Sequence, residues 1–394
     1  MATKKTSEDK QEKISSGLTR ETQALLNSYA DDEPDTKFLE TGNIGFDMAL
    51  SNGLGMPLGS SILIWAEPAC GKTTLFADVS KRLIKLHKAK GEVFKVLYLA
   101  VEGSRELLKK IGLDEYIKSK DFIYVEKRLC WRQIEQLYDM VLSGTGAYDG
   151  VKLIVIDSVN NVLSDQNIKN SVADGDFGTK ARERSNFYSK YLPMCKQKGI
   201  NTFMVSQIRQ KQDAAPGLYV ERKKAAVSDS DLHNADIIIK CTRNLGHTET
   251  VKLVEKTAFG EDKTVAKYIM VLDPTNSSSK NRYDRTHKCE IMIEKGVGAC
   301  NYYALRKILE FHKFLVKSGA YYSFSKVLCD TFGLPEKKMF KDGIDEILKD
   351  KMGQFVAFLK EAGCYSIVSP DKVTREEGAI VETEEDETEG ITEE

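Results

Sequence analysis

The sequence lacks several features that would assign it to particular classes of protein. None of its 394 residues belongs to an apolar run approaching the ~18 residues that a membrane-spanning helix requires. The N-terminus, Met1-Ala2-Thr3-Lys4-Lys5, is polar and no apolar stretch follows it, so we expect no signal peptide. The eight cysteines are scattered without a C-x-x-C pair. This disfavours a disulfide framework or a zinc site, and we expect reduced thiols in a cytoplasmic protein.

The composition is typical of a globular protein, with 41% hydrophobic and 30% charged residues. The chain is longer than the roughly 250–300 residues at which a single core stops growing, so we expect a large core and a smaller domain. No internal repeat is present.

Charge is distributed unevenly along the chain. From Arg375 to Glu394 there are ten acidic residues and one basic residue, a charge of −9, so the net charge of −1 leaves +8 on residues 1–374. A basic body favours a polyanionic partner, and the acidic tail could compete for the same surface. The tail could equally serve solubility alone, and in either case we expect it to be disordered.

A stretch of small residues follows the apolar run Ser61-Ile62-Leu63-Ile64-Trp65. It is Ala66-Glu67-Pro68-Ala69-Cys70-Gly71-Lys72-Thr73-Thr74, and an amphipathic segment comes after it. A strand, a tight loop ending in Gly-Lys-Thr and a helix together wrap backbone amides around nucleotide phosphates. Gly71 would allow close approach, Lys72 would reach the terminal phosphates and the Thr73 hydroxyl would ligate magnesium. Gly-Lys-Thr alone also occurs by chance, and alanine replaces the usual first glycine, but this context predicts nucleoside-triphosphate binding.

Apolar runs alternate with helical segments from Phe38 onward, which predicts βαβ units and a mostly parallel sheet. After Arg243, strands without long helices between them indicate an antiparallel extension of that sheet. Gln11–Tyr29 is a helical candidate in a polar N-terminal arm, and Tyr302 to about Ser369 is helical and aromatic-rich. The predicted strands are Ser61–Trp65, Val96–Val101, Phe122–Glu126, Lys152–Asp157, Asn201–Ser206, Asp236–Cys241, Val251–Thr257, Lys267–Leu272 and Cys289–Glu294. The main predicted helices are Thr73–Ala89, Arg132–Leu142 and Lys180–Gln197.

Three of these strands lead into a polar side chain, and the carboxyl ends of parallel strands face one ligand crevice. Asp157 could hold magnesium or its waters opposite the phosphate loop, although buried strands often end in aspartate. Glu102 could polarise the water that attacks the γ-phosphate, or it could cap a helix. The Gln207 amide could hydrogen-bond the γ-phosphate and so report the nucleotide state.

The segment from Lys180 to Lys224 is strongly basic, with eleven basic and three acidic residues. Within it begins the stretch Ile208–Asp229, which contains no obvious element and therefore predicts a functional or disordered loop. The interleaved aromatic residues are Tyr188, Tyr191 and Tyr219. Such a surface suits a nucleic-acid backbone, with aromatic faces available to the bases. The alternative is an ordinary solvated face.

In this order and spacing, the motifs resemble the RecA family of homologous recombinases, and in particular its phage-encoded branch that includes UvsX. The likeness covers about Phe38 to Glu294. It includes the lead-in segments Thr41–Leu50 and Gly53–Gly59, the phosphate loop, Glu102, Asp157-Ser158 and Gln207-Ile208-Arg209. The resemblance implies an α/β fold with a RecA-like P-loop ATPase core, residues 38–300. An N-terminal arm (1–37) with a possible role in oligomerisation would precede this core, and a small C-terminal domain (301–370) and the acidic tail (371–394) would follow it.

The resemblance also implies roles for individual residues, with ATP and Mg²⁺ as the ligands. Glu102 would activate the attacking water, and Gln207 would sense the γ-phosphate. The first and second DNA-binding loops would be about Asp165–Asp176 and Gln210–Leu232. The DNA-binding residues would be Arg182, Ser185, Arg209, Lys211, Tyr219, Arg222, Lys223 and Lys224. Lys280 and Arg282 match a basic pair that in the bacterial members reaches across the filament interface to the neighbouring ATP, although here one residue fewer separates the pair from the following strand.

Two departures from the family pattern stand out. The second loop lacks the family's paired glycines and carries Asp229–Asp236 instead, whose end, Asn234-Ala235-Asp236, resembles the phage branch more than the bacterial one. The segment after Glu102 is two residues shorter than in the bacterial members, so the usual adenine-stacking aromatic residue has no clear counterpart.

The function that the resemblance implies is an ATP-dependent DNA recombinase in a bacterial or phage-infected cell. It would form filaments of its own subunits on single-stranded DNA, pair that DNA with homologous duplex DNA, and work with single-strand-binding and mediator proteins. Two other functions remain open. One is a ring-forming DNA helicase or loader ATPase built on the same core. The other is a signalling ATPase whose basic face binds an acidic protein.

Overall fold

A computed structural model describes residues 37–66, 69–101, 105–165, 178–210, 223–225, 229–256, 262–274, 288–294 and 296–363. The strands are β1 (Phe38–Leu39), β2 (Met56–Pro57), β3 (Ser61–Ala66), β4 (Lys95–Ala100), β5 (Phe122–Glu126), β6 (Val151–Asp157), β7 (Asn201–Gln210), β8 (Lys223–Ala225), β9 (Ile237–Lys256), β10 (Asp262–Asp273), β11 (Cys289–Glu294), β12 (Gly298–Cys300), β13 (Leu315–Ser318), β14 (Tyr321–Phe324) and β15 (Met339–Phe340). The helices are α1 (Ile44–Ser51), α2 (Lys72–Ala89), α3 (Arg105–Ile111), α4 (Asp114–Lys118), α5 (Trp131–Ser143), α6 (Thr179–Gln197), α7 (Asp229–Asn234), α8 (Asn301–Phe311), α9 (Lys326–Phe332), α10 (Lys341–Asp350) and α11 (Met352–Glu361).

One large sheet organises these elements, in the order β12-β11-β10-β9-β3-β7-β6-β4-β5, with β8 paired to β7. The strands from β9 to β5 in this order run parallel to their neighbours. The strands β10, β11 and β12 extend the sheet in antiparallel fashion. The predicted α/β class, with a mostly parallel sheet and an antiparallel extension, is therefore confirmed. None of the helices in the described ranges is long and apolar enough to span a membrane.

The central strands bury side chains on both faces of the sheet because successive residues of a strand point to opposite sides. In β3, Ile62 and Ile64 pack into the layer that contains α2, whereas Leu63 packs into the layer that contains α5 and α6. Residues of β4, β6 and β7 divide between the two layers in the same alternating way. This double burial explains why these strands were predicted as continuous apolar runs.

Two segments differ from the prediction in the region after Gln207. The strand β7 continues to Gln210 and pairs antiparallel with β8, so a hairpin stem forms within a segment that was predicted to be a loop. The strand β9 is one element of 20 residues where two separate strands, Asp236–Cys241 and Val251–Thr257, were predicted. Its pairing with β10 shifts register between Asn244 and Glu249, and this irregular stretch contains Gly246. A glycine and polar residues inside a strand resemble a turn in sequence.

The region after Cys300 contains more than the predicted helices. Between the helices, β13, β14 and β15 form a three-stranded antiparallel sheet. Its residues, and those of α8, α10 and α11, belong to the same hydrophobic core as α1, α2 and β11. The predicted domain boundary at residue 300 therefore falls within a continuous apolar core and stays a prediction. The predicted helix Gln11–Tyr29 and the acidic tail lie outside the described residues.

Candidate nucleotide-binding site

The predicted phosphate loop joins β3, which ends at Ala66, to α2. Gly71 is the N-cap of α2, with φ 97°, and Ala69 also has a positive φ of 58°. The positive φ of Gly71 favours glycine, and a methyl group at this position would meet the Tyr268 hydroxyl group unless that ring moved. No side chain caps the helix, and amides at such a helix start suit an anion. Of the other loop residues, Cys70 and Thr74 are buried, and Glu67 and Pro68 lie outside the described residues.

Lys72 starts α2 and is largely buried, with 9% of its surface exposed. Its Nζ donates a hydrogen bond of 3.3 Å to the Ala66 carbonyl oxygen, so the ammonium group folds back over the loop's own backbone. From this position the ammonium group can replace its present acceptor, the Ala66 carbonyl oxygen, with a phosphate oxygen.

Asp157 lies at the end of β6 and has 3% of its surface exposed. Its Oδ2 accepts hydrogen bonds from Thr73 Oγ1 and Tyr98 Oη, each at 2.8 Å. Burial raises the pKa of Tyr98 well above its ordinary value, and the adjacent Asp157 carboxylate raises it further, so this hydroxyl remains a donor. The fold thus brings together Thr73 and Asp157, which lie 84 residues apart in the sequence.

The donor atoms of Thr73 and Asp157 fit Mg²⁺, which prefers oxygen ligands. No group of three or more His, Cys, Asp or Glu side chains in the described part of the chain could hold a metal ion. A cation at Thr73 and Asp157 would therefore complete its coordination with phosphate and water, as Mg²⁺ commonly does.

Gln207 lies on β7 opposite Ala66 of β3, and Ala100 of β4 lies opposite Asp157 of β6. The carboxyl ends of the central strands therefore meet at one edge of the sheet, next to the phosphate loop, as the sequence predicts. Gln207 is half-buried, and its backbone amide donates a 3.0 Å hydrogen bond to Asn160 Oδ1. Three residues predicted for catalysis lie outside the described residues: Glu102, Lys280 and Arg282.

The predicted DNA-binding residues fall on two elements. Arg182 is exposed in the first turn of α6, and Ser185 is half-buried one turn later. In the hairpin, the Arg209 backbone pairs with Lys224, and Gln210 pairs with Lys223. Lys211, Tyr219 and Arg222 lie outside the described residues.

Two of the tyrosines that were predicted to offer aromatic faces to bases are in the core instead. Tyr188 and Tyr191 are fully buried and pack around Phe187 with centroid distances of 5.7 and 5.1 Å. The Tyr191 hydroxyl donates to Asp139 Oδ1 at 3.0 Å. The spacing of these residues puts them on one face of α6, so the prediction was wrong because it counted aromatic residues without regard to helix periodicity. Arg184 on this face is also buried, and its Nε lies 3.3 Å from Asp231 Oδ1.

Sequence reasoning missed two residues of the site, Tyr98 and Asn160. Tyr98 bonds Asp157 from within a strand that reads as wholly apolar. Asn160 lies in the 3₁₀ turn Val159–Asn161, directly after β6. The signal available in the sequence was the pair Asn160-Asn161 enclosed by Val159 and Val162 shortly after the strand-end aspartate, because an amide held in an apolar segment requires hydrogen-bond partners.

The parallel sheet, the loop after β3 and the oxygen pair at its rim define an α/β protein of the P-loop class. Residues 19–217 match the family model of the RecA N-terminal domain, and the chain belongs to the RecA family. A curated relative, "Protein RecA" from Colwellia psychrerythraea, is 27% identical over 177 residues. The aligned stretch is 45% of this chain and 47% of the relative, so the chain spans about half the length of the relative it matches.

Proposed function

We propose that this protein is an ATP-dependent DNA recombinase that assembles on single-stranded DNA and pairs it with homologous duplex DNA. The observation that carries the proposal is the path of β7. At Gln207 this strand lies opposite Ala66, where the phosphate loop begins, and from Ile208 onward it pairs with the basic strand β8. One element therefore connects the edge that would hold the γ-phosphate to a positively charged hairpin.

In the proposed mechanism the triphosphate lies on the amides at the start of α2. Lys72 would turn from the Ala66 carbonyl to the terminal phosphates, and Thr73 and Asp157 would hold Mg²⁺, which would offset phosphate charge. Glu102 orients the attacking water, and the Gln207 amide contacts the γ-phosphate. The contact between Gln207 and the γ-phosphate would be lost after hydrolysis, when that phosphate leaves.

DNA binding and assembly complete the proposal. Arg182, Ser185 and the basic residues of the second loop contact the DNA backbone, and Lys280 and Arg282 of a neighbouring subunit reach the ATP. The segment Asn234-Ala235-Asp236 supports membership in the phage branch. Single-strand-binding and mediator proteins are the further partners in this proposal.

Hydrolysis in the presence and absence of single-stranded DNA tests the proposed activity. We expect slow ATP hydrolysis that single strands accelerate, and we expect Lys72→Ala to abolish it because the charge on the terminal phosphates is lost. The measurement is phosphate release across a salt titration, with each variant checked for folding. Hydrolysis that stays constant on addition of DNA would contradict a DNA-dependent ATPase, and normal turnover of Lys72→Ala would contradict the site.

Electron microscopy with ATP and single-stranded DNA separates recombinase from other activities. Long helical filaments are expected. Closed rings that unwind a forked duplex would indicate a helicase or loader instead, and the absence of any assembly would favour an ATPase whose basic surface binds an acidic protein.

A further inference from the structure

Asn160 forms hydrogen bonds with two elements that belong to different parts of the proposed mechanism. It has 9% of its surface exposed. Its side-chain Oδ1 accepts from Ser206 Oγ at 2.8 Å and from the Gln207 backbone amide at 3.0 Å. Its backbone carbonyl accepts from Lys180 Nζ at 2.5 Å. One residue therefore joins β7 at Gln207 to the first turn of α6.

The helix α6 also holds the first residue of the predicted first DNA-binding loop. Asp165 is the first residue of that loop, and its backbone amide donates to the two carboxylate oxygens of Glu183 at 3.1 and 3.3 Å. Asp165 Oδ1 in turn accepts from the Arg132 amide at 3.3 Å. Glu183 follows Arg182, the predicted DNA contact, directly in the sequence. The start of the loop and the turn that carries Arg182 are thus connected through α6.

We propose that Asn160 is a positioning residue that transmits the nucleotide state from Gln207 to α6, and so sets the placement of Arg182 for DNA. The inference rests on the proposed function. Because Oδ1 holds two donors of β7 in a buried place, a shift of β7 at Gln207 either moves Asn160 or leaves buried polar groups unpaired, which is unfavourable. Movement of Asn160 also moves the carbonyl that holds Lys180, and therefore the first turn of α6.

The test measures how strongly the nucleotide changes DNA affinity. The dissociation constant for a fluorescent single-stranded oligonucleotide is measured with Mg²⁺ and ATPγS, and again with Mg²⁺ and ADP, and the ratio of the two constants reports the coupling. The variant Asn160→Ala removes the acceptor. We expect it to reduce this ratio about fivefold or more, within the usual range of coupling between sites.

Asn161→Ala is the matched control. Asn161 is the same residue type in the same turn, and its Nδ2 donates to Ser158 Oγ at 3.2 Å rather than to β7 or α6. We expect this variant to keep the wild-type ratio. Thermal melting of all variants verifies that they fold.

Two further variants interrupt the connection from either end and serve if Asn160→Ala does not fold. Ser206→Ala removes one of the two donors to Oδ1, and Lys180→Met keeps the aliphatic stem but removes the ammonium group. Each is expected to lower the ratio. A wild-type ratio in Asn160→Ala, or in both of these variants, would overturn the inference, as would an equal loss in Asn161→Ala. If wild-type protein already binds DNA equally with both nucleotides, the proposed function itself fails.

Discussion

At the scale of single residues, the position of Asp157 depends on a tyrosine that no motif contains. The hydroxyls of Tyr98 and Thr73 donate to the same oxygen of this carboxylate, and Asp157 and Tyr98 are buried. A magnesium-binding carboxylate whose neighbours fix its orientation loses less entropy when the cation binds. Tyr98 would therefore support the proposed cation site by orienting Asp157, without contacting the cation.

Tyr98→Phe tests this role, because it removes only the hydroxyl and keeps the ring next to Phe122, at a centroid distance of 5.5 Å. We expect the Mg²⁺-dependent part of nucleotide affinity to fall about tenfold, the lower end of what outer partners of metal ligands contribute. The measurement is the affinity for a fluorescent ATP analogue as Mg²⁺ is titrated, compared with EDTA.

Tyr124→Phe is the control for this substitution. Tyr124 lies on the neighbouring strand β5, its ring is 6.2 Å from that of Tyr98, and within the described structure its buried hydroxyl has no hydrogen-bond partner. Its removal should leave the Mg²⁺ dependence unchanged. Equal losses in the two variants would mean that general packing, rather than the bond to Asp157, supports the site.

At the scale of secondary-structure elements, α6 has two faces with different roles. One face carries Arg184, Phe187, Tyr188 and Tyr191 into the core, and the exposed surface carries Arg182 in the first turn. The basic character of this segment is thus divided: the charge on Arg184 is paired inside, and the charge on Arg182 remains at the surface.

Arg182→Ala should weaken binding to single-stranded DNA and reduce its salt dependence by about 0.7 in the slope of log K against log salt, the value for one lost phosphate contact. The control is Lys190→Ala, which removes one positive charge from the same helix about 12 Å further along its axis. Fluorescence anisotropy over a series of salt concentrations measures both slopes. A slope unaltered in Arg182→Ala, or lowered equally in Lys190→Ala, would reject Arg182 as a specific contact.

The sequence predicted best those elements that a short continuous stretch of residues identifies. The strands β3 to β6 are apolar runs bounded by loops, and the phosphate loop is contiguous. The bonds that complete the site were not predictable, because Tyr98 reaches Asp157 across 59 residues and Asn160 reaches Ser206 across 46. The hairpin of β7 and β8 was missed because its strands are polar, and such strands lack the alternation that marks a half-buried strand.

At the scale of the whole molecule, the residues before the phosphate loop are tied to the C-terminal helices. Asp47 of α1 is buried, and its Oδ1 accepts from the backbone amide and hydroxyl of Thr41, at 3.0 and 2.6 Å. Close by, Glu40 accepts a 2.6 Å hydrogen bond from Lys360 of α11. Burial raises the pKa of Asp47 to about 7.

This raised pKa predicts a pH dependence of global stability. Between about pH 4 and pH 7 the folded state keeps the Asp47 proton and the unfolded chain releases it. The free energy of unfolding should therefore fall by about 1.4 kcal/mol per pH unit from this group, and level off above pH 7. Asp47→Asn keeps an oxygen for Thr41 and does not titrate. Urea unfolding from pH 5 to pH 8 should show the variant gaining relative to wild type as pH rises, and parallel curves would contradict the assignment.

The phosphate loop packs at Gly71 against Tyr268, a residue that lies far from the motif in the sequence. The matched family segment ends at residue 217, whereas Tyr268 belongs to β10, in the antiparallel extension beyond it. Arg243 stacks on the same ring at 4.4 Å and also lies past that limit. A protein shortened to the matched segment would keep the whole Gly-Lys-Thr motif but would lose Tyr268, the side chain against which the loop packs. The Gly-Lys-Thr motif thus marks one side of the proposed nucleotide site, and a strand more than 190 residues later lines the side behind Gly71.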